Sequence, residues 1–407
     1  MAIPAPPSTL RRTLQRLFVV ASLAILAAPM LVHALLPAEQ RRGENRAPAP
    51  LPAAPTSLAA LPAWTTATDA WLRDHFGLRN RYLDIQDQLL FRLFGTFASP
   101  QILPGREGRL FLASHAAGEP YRNSLIRTSC GIAVPPERRQ QIAQSLAEVL
   151  ARTDTFHPGP TLAILVPSAA ALYPSQLPPW LERQCRAATP LLEGIVEAVP
   201  APLRPRAINL LPVLAALDPA TPAIPPHNFH WDGAGPLRAA AWIAETQLHR
   251  QPAFALPTRT LRKRSDITGF FPGLRIMGDV VHAEETRAGV ATCIGPDCFT
   301  ASLGPEAARL LADLRRHESP APQGRLLLLT DSFGAFASAG FTPYFREVVQ
   351  VSLNNLPQLS APQRARLRQA LIEEYRPDAT LFLFHDFAVT YMWDILLRDL
   401  LGPQATQ

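Results

Sequence analysis

Leu326, Leu327, Leu328 and Leu329 form a run of four leucines, bounded by Gly324 upstream and Asp331-Ser332 downstream. A short apolar run with no alternation has apolar side chains on both faces. It therefore reads as a strand inside a sheet covered on both sides. Thr161 to Val166, Ala207 to Asn209, Glu347 to Val351 and Ala379 to Phe384 read as further strands. Helical periodicity follows or separates them at Pro136 to Ala151, Gly233 to Leu248, Pro305 to Arg316, Pro362 to Glu374 and Val389 to Leu400. Strands alternating with helices imply an α/β fold with a mostly parallel sheet. Its functional residues are expected where the strands end.

Thr330-Asp331-Ser332-Phe333-Gly334 ends the four-leucine strand abruptly. A serine there exposes its hydroxyl at the sheet edge beside free backbone N–H groups, which is how an α/β enzyme presents a nucleophile. A plain helix N-cap would use the same residue. Pro226-His227-Asn228-Phe229-His230-Trp231-Asp232-Gly233 favours the first reading, because it offers a base. His230 is the candidate base, Ser332 the candidate nucleophile, and the backbone N–H of Ser332 an oxyanion donor. Asn354, or its neighbour Asn355, is a second candidate donor.

The 407 residues suffice for one large or two ordinary domains, and 47% apolar against 18% charged residues means a globular chain. The net charge of +6 is carried almost wholly by arginine; Lys263 is the only lysine. No basic block is interleaved with aromatics, which argues against nucleic acid. No glycine-rich phosphate loop is present, and neither a cofactor nor a metal is expected. Leu17 to Leu36 is twenty residues without a charged side chain, preceded by Arg11, Arg12 and Arg16. It reads as an uncleaved transmembrane anchor, with a signal peptide as the alternative. Residues 1–16 would then be a cytoplasmic N-terminus, 37–62 a Pro/Ala-rich linker and 63–407 the functional domain. Asp69 to Phe97 follows a helical pattern, and Leu103 to Leu112 looks like a turn into a strand. Four cysteines suit two disulfides, for which 293–298 and 130–185 is the preferred pairing over two others and over a zinc site. Anchor and disulfides together place the domain outside the cytoplasm, on the periplasmic side of an inner membrane.

Several blocks, in order, resemble the SGNH-hydrolase-like polysaccharide O-acetyltransferases of the alginate O-acetylation (AlgJ/AlgX) type. They are Phe76-Gly77-Leu78-Arg79-Asn80, Ile102 to Phe111, Leu165-Val166-Pro167-Ser168 with Tyr173-Pro174 and Leu177-Pro178, Asn228-Phe229-His230-Trp231, Asp331-Ser332-Phe333 and Arg376-Pro377-Asp378. The resemblance spans roughly residues 65–395. It implies a three-layer SGNH-like sandwich and a Ser332/His230 catalytic set. It also implies an acetyl-serine intermediate, a polysaccharide acceptor and a membrane-bound O-acyltransferase partner that supplies the acetyl groups. Two departures stand out. Asn228 occupies the position of the family's aspartate, and Ser168 and Thr330 replace its lysine and glycine. An amide two residues before the base brings no charge, and the corresponding Asp-to-Asn change in a Ser-His-Asp protease costs ~10⁴-fold in kcat. Asp232, Asp331 and Asp386 are the candidate substitutes, with Asp386 best placed at a strand end. Without a substitute, the chain would be a weak enzyme or a non-catalytic scaffold binding polymer or partner proteins. An acetyl esterase of the same fold is the third reading.

Overall fold

The computed structural model describes residues 9–35, 49–97, 99–115, 123–156, 159–217, 220–270, 276–311 and 313–402. Parts of the expected N-terminus (1–8), of the linker (37–48) and Leu36 lie outside them. The chain divides into two units, residues 1–98 with 268–275, and residues 99–267 with 276–407.

The first unit is helical. Its helices run over Thr9–Leu35, Leu61–His75 and Arg79–Phe94. The single helix expected over Asp69 to Phe97 is thus two, broken at Phe76-Gly77-Leu78, where Phe76 turns extended. A helix does form over the expected anchor, but among the described residues no helix is long and apolar enough to cross a membrane. The stretch is interrupted by Ser22 and by Pro29 inside the helix, and the transmembrane reading of Leu17 to Leu36 is not supported.

The second unit is built on a seven-stranded mixed sheet. In chain order its strands are β1 (Ile102–Pro104), β2 (Leu110–Leu112), β3 (Thr161–Val166), β4 (Ala207–Asn209), β5 (Thr258–Arg264), β6 (Met277–Ala283), β7 (Ala291–Ile294), β8 (Leu314–Glu318), β9 (Arg325–Thr330), β10 (Glu347–Ser352) and β11 (Ala379–His385). The sheet order is β4-β3-β11-β9-β10-β8-β7, while β1 pairs with β2 and β5 with β6 as antiparallel hairpins. Strands β4, β3, β11, β9 and β10 are parallel. Strands β8 and β7 close one edge antiparallel. The sheet is therefore mixed rather than simply parallel. Residues 314–316, read as the end of a helix, belong to β8: the helix stops at Leu311, and the chain reverses to pair with β10.

The five parallel strands are the five apolar runs. All of β3, β11 and Leu326 to Thr330 of β9 are buried. Two apolar clusters cover the two faces. One side of β9 sends Leu327 and Leu329 into a cluster with the helix Pro136–Thr153. The other sends Leu326 and Leu328 into a cluster with Ala239, Ala240 and Trp231. Alternate residues of one strand serve opposite cores, as the period of two requires. The disulfides Cys130–Cys185 and Cys293–Cys298 are formed in the expected pairing, leaving no free cysteine.

Candidate active site

Parallel strands β3, β11 and β9 end at one edge of the sheet, and each end carries a polar residue: Ser168 beyond β3, His385-Asp386 at β11, and Asp331-Ser332 after β9. The turn that presents Ser332 is fixed from two sides. Asp331 is 1% exposed; its Oδ1 accepts the Phe333 N–H at 2.9 Å. Its Oδ2 accepts both the backbone N–H of His385, at 2.8 Å, and His385 Nδ1, at 2.5 Å. Gly334 answers the crowding that Thr330 brings, since a Cβ at 334 would lie 2.3 Å from the Thr330 Cβ. The Thr330 hydroxyl in turn accepts Gln350 Nε2 at 2.9 Å.

His230 and Trp231 reach the turn together. His230 Nε2 lies 2.9 Å from Ser332 Oγ, and Trp231 Nε1 donates to the Phe333 carbonyl at 2.8 Å. Trp231 is fully buried. It is a core residue, and its indole N–H is satisfied as a buried one must be. Phe333 and Phe336 flank the His230 ring, with centroids 5.0 and 5.3 Å away.

The acid comes from a place the sequence did not mark. Asp266, just beyond β5, puts Oδ2 2.7 Å from His230 Nδ1. The same carboxylate accepts the backbone N–H groups of Phe229 (2.7 Å) and His230 (2.8 Å). The β5–β6 hairpin delivers it. Ser265, one residue earlier, accepts no slack in position: its N–H donates to Ile276 O at 2.8 Å and its hydroxyl donates to the His227 carbonyl. Three N–H donors thus converge on one carboxylate. With Nδ1 engaged by Asp266, Nε2 is the ring nitrogen that faces Ser332. His230 and Asp266 are 14% and 24% exposed in their side chains, so substrate can reach the relay.

Asn228 does not hold the base: it is buried beside it and lines an adjoining cavity with Ser168, His385 and Asp386. Asp386 does not substitute either, since its Oδ2 accepts the Ser168 backbone N–H at 2.9 Å. Burial pushes its carboxyl above the ordinary carboxylate range, against the opposing pull of His385 and Ser168. Asp232 pairs with Lys263 at 3.0 Å, and Asp331 with His385. Asn354 is exposed beyond β10, with no hydrogen bond to Ser332, while Asn355 donates to the Leu310 carbonyl. Among the described residues the Ser332 backbone N–H has no acceptor, as an oxyanion donor should, whereas the Phe333 N–H is taken by Asp331. No cluster of three metal-ligating side chains occurs among the described residues.

No family of known proteins matches the chain by sequence, and no curated protein does. Among solved structures, it is similar to a DHHW family protein from Eubacterium siraeum at 16% identity, covering 65% of this chain and 90% of that one, with a TM-score of 0.46. It is also similar to the O-acetyltransferase domain of Pseudomonas putida AlgJ at 13% identity, 71% and 92% coverage and a TM-score of 0.41. For Pseudomonas aeruginosa AlgX the figures are 12%, 75%, 70% and 0.39. At identities of 12–16% and TM-scores of 0.39–0.46 these likenesses carry no argument about the chemistry, which rests on the side chains described above.

Proposed function

We propose that this chain is an O-acetyltransferase that carries acetyl on Ser332 and passes it to a hydroxyl of a secreted or cell-envelope polysaccharide. The observation that carries this reading is the continuous relay from Ser332 Oγ through His230 to Asp266, with contacts of 2.9 and 2.7 Å. The Ser332 hydroxyl gives its proton to His230 Nε2 as Oγ attacks the acetyl carbonyl carbon. The carbonyl oxygen becomes an oxyanion within reach of the Ser332 backbone N–H. Collapse breaks the bond to the donor's oxygen, which takes the proton back from Nε2. The acceptor hydroxyl then repeats the sequence on acetyl-Ser332. Asp266 stabilises the imidazolium formed in each half-reaction and stays ionised throughout.

A complete relay removes the reason to read Asn228 as the mark of a dead enzyme, and with it the main support for a scaffold. The donor in this reading is a membrane-bound O-acyltransferase, as the sequence resemblance implies. Two disulfides favour an oxidising compartment outside the cytoplasm. Fractionation of the native chain checks that placement and also reads whether the Thr9–Leu35 helix holds it to a membrane.

The test is release of a chromogenic alcohol from its acetyl ester. Purified protein should turn the ester over and accumulate a mass increment of one acetyl group on the peptide containing Ser332. Adding an oligosaccharide should divert acetyl from water to sugar. Release no greater than that of Ser332→Ala ends the enzymatic reading, and release that no sugar can divert makes the protein an acetyl esterase.

A further inference from the structure

The cavity beside the relay carries polar groups that the acyl-serine chemistry does not use. It offers a volume of about 20 Å³, room for roughly one small polar group or water. Ser168, His385 and Asp386 line it, and they are 8%, 5% and 1% exposed. By distance and angle each has a side-chain atom without a well-formed hydrogen bond, Ser168 Oγ, His385 Nε2 and Asp386 Oδ1, although the Ser168 and Ser129 hydroxyls both lie close enough to the Asp386 carboxyl to favour its charged form. Three orphaned polar atoms around one small space are far from the rule that buried polar groups are paired. Folding alone does not ask for them, because the fold uses other atoms of the same residues. Asp386 Oδ2 takes the Ser168 N–H, and His385 Nδ1 takes Asp331.

The rest of the lining is mostly apolar, with Phe111, Leu125 and Phe229 beside the polar Ser129 and Asn228. An acetyl methyl would have to sit against these polar groups. A carboxylate would face the carboxyl group of Asp386, and a cation would find that one carboxyl beside the His385 ring, with no second acid in the lining. A neutral hydroxyl fits, since it donates to one of these atoms and accepts from another. The location fits as well. Neighbouring strands are ~4.8 Å apart, so the strand ends carrying His385-Asp386 and Ser168 lie about 5 and 10 Å along the edge from that of Ser332. Phe229 stands between the two sites, with its ring centroid 4.9 Å from that of His230 and 5.5 Å from that of His385.

We infer that this cavity is an acceptor subsite, in which Ser168, His385 and Asp386 hold a hydroxyl of the sugar next to the one being acetylated. This rests on the polysaccharide reading above and assigns that reading a binding determinant. Ser168 then has a role of its own where the resembling family favours lysine: a short hydroxyl leaves the cavity open.

The test is calorimetric binding of two probes, cellohexaose and a β-1,4-linked uronic acid hexasaccharide, to Ser332→Ala protein. In that background Ser168→Ala and the isosteric Asp386→Asn should each weaken binding of the preferred probe about tenfold, with the thermal midpoint moved little. On active protein the same two substitutions should lower the ratio of acetyl transfer to ester hydrolysis by a similar factor. Equal affinity in all three folded proteins, or binding of neither probe, would leave the cavity as a water site and overturn the inference. Ester turnover without probe binding would spare the acyl-serine reading and sink only the subsite. Probe binding that depends on Ser168, in a protein without ester turnover, would do the reverse.

Discussion

Among the described residues two serine–histidine–acid relays stand out, and only one is placed for chemistry. In the first, Asp266, His230 and Ser332 meet at the edge where the parallel strands end, with His230 and Asp266 partly open to solvent. In the second, Glu285 Oε1 lies 2.6 Å from His317 Nδ1, and His317 Nε2 lies 3.0 Å from Ser338 Oγ. Its distances are as good. Yet His317 and Ser338 are fully buried, and the Ser338 hydroxyl also leans on the Ala335 carbonyl at 3.4 Å. The second relay joins β8 to the short helix after the nucleophile turn and to the segment before β7. Geometry alone therefore does not make a nucleophile. Access does, together with a free backbone N–H beside the hydroxyl.

The sharpest way to break this contrast is to remove each serine. Ser332→Ala should lower acetyl-ester turnover by about 10⁴-fold or more, as loss of a triad serine does elsewhere. Ser338→Ala should keep turnover near that of the unaltered protein and cost about 1–3 kcal/mol of stability, because it strands a buried imidazole nitrogen. Kinetics and denaturant unfolding read the two effects separately, and the opposite assignment would invert the roles of the relays. Asp266→Asn should lower kcat by about 10⁴-fold. Asn228→Asp should bring no gain, since that side chain is not on the base; a gain would return the acid to position 228.

The disulfides divide similarly. Cys130–Cys185 spans 55 residues and Cys293–Cys298 only 5, so in the loop-entropy description their removal should cost about 4 and about 2 kcal/mol. Urea midpoints of the Cys130→Ala/Cys185→Ala and Cys293→Ala/Cys298→Ala proteins check that order. Trp231→Phe should cost about 1 kcal/mol by losing the bond to the Phe333 carbonyl, and should lower turnover modestly by freeing the nucleophile turn.

The smallest effect concerns pH. Burial opposes ionisation of Glu285, but its bonds to His317 and Thr292 prevail and hold its carboxyl below the ordinary value of 4.5. A depressed carboxyl stabilises the fold above its unfolded-state value and loses that contribution as the pH falls through the folded-state one. Unfolding midpoints should therefore drop below about pH 4.5 more steeply in the unaltered protein than in Glu285→Gln.

The sequence made the parallel strands legible because burial on both faces leaves uninterrupted apolar runs such as Leu326 to Leu329. The polar strands gave no such sign. Every residue of β7 is exposed, and β5, Thr-Arg-Thr-Leu-Arg-Lys-Arg, has no buried residue. Strand β8 hid behind the helical pattern of Pro305 to Leu311. Ser332 and His230 were legible because their neighbours carry signals of their own: a strand that stops at Asp-Ser, and a His-Trp pair before a helix. Asp266 had no such context. It follows a basic strand and precedes Ile267, and an acid held by pairing between β5 and β6 leaves no mark near the base it serves. A triad requires convergence in space and no fixed order in the chain. The candidates considered in its place were each already engaged elsewhere, Asp232 by Lys263 and Asp331 by His385.

The separate origin of Asp266 bears on how such chains are recognised. Once a hairpin offers a carboxylate to the imidazole, the residue two positions before that imidazole no longer has to supply a charge. A pattern that demands Asp-x-His would therefore pass over a chain whose relay is complete.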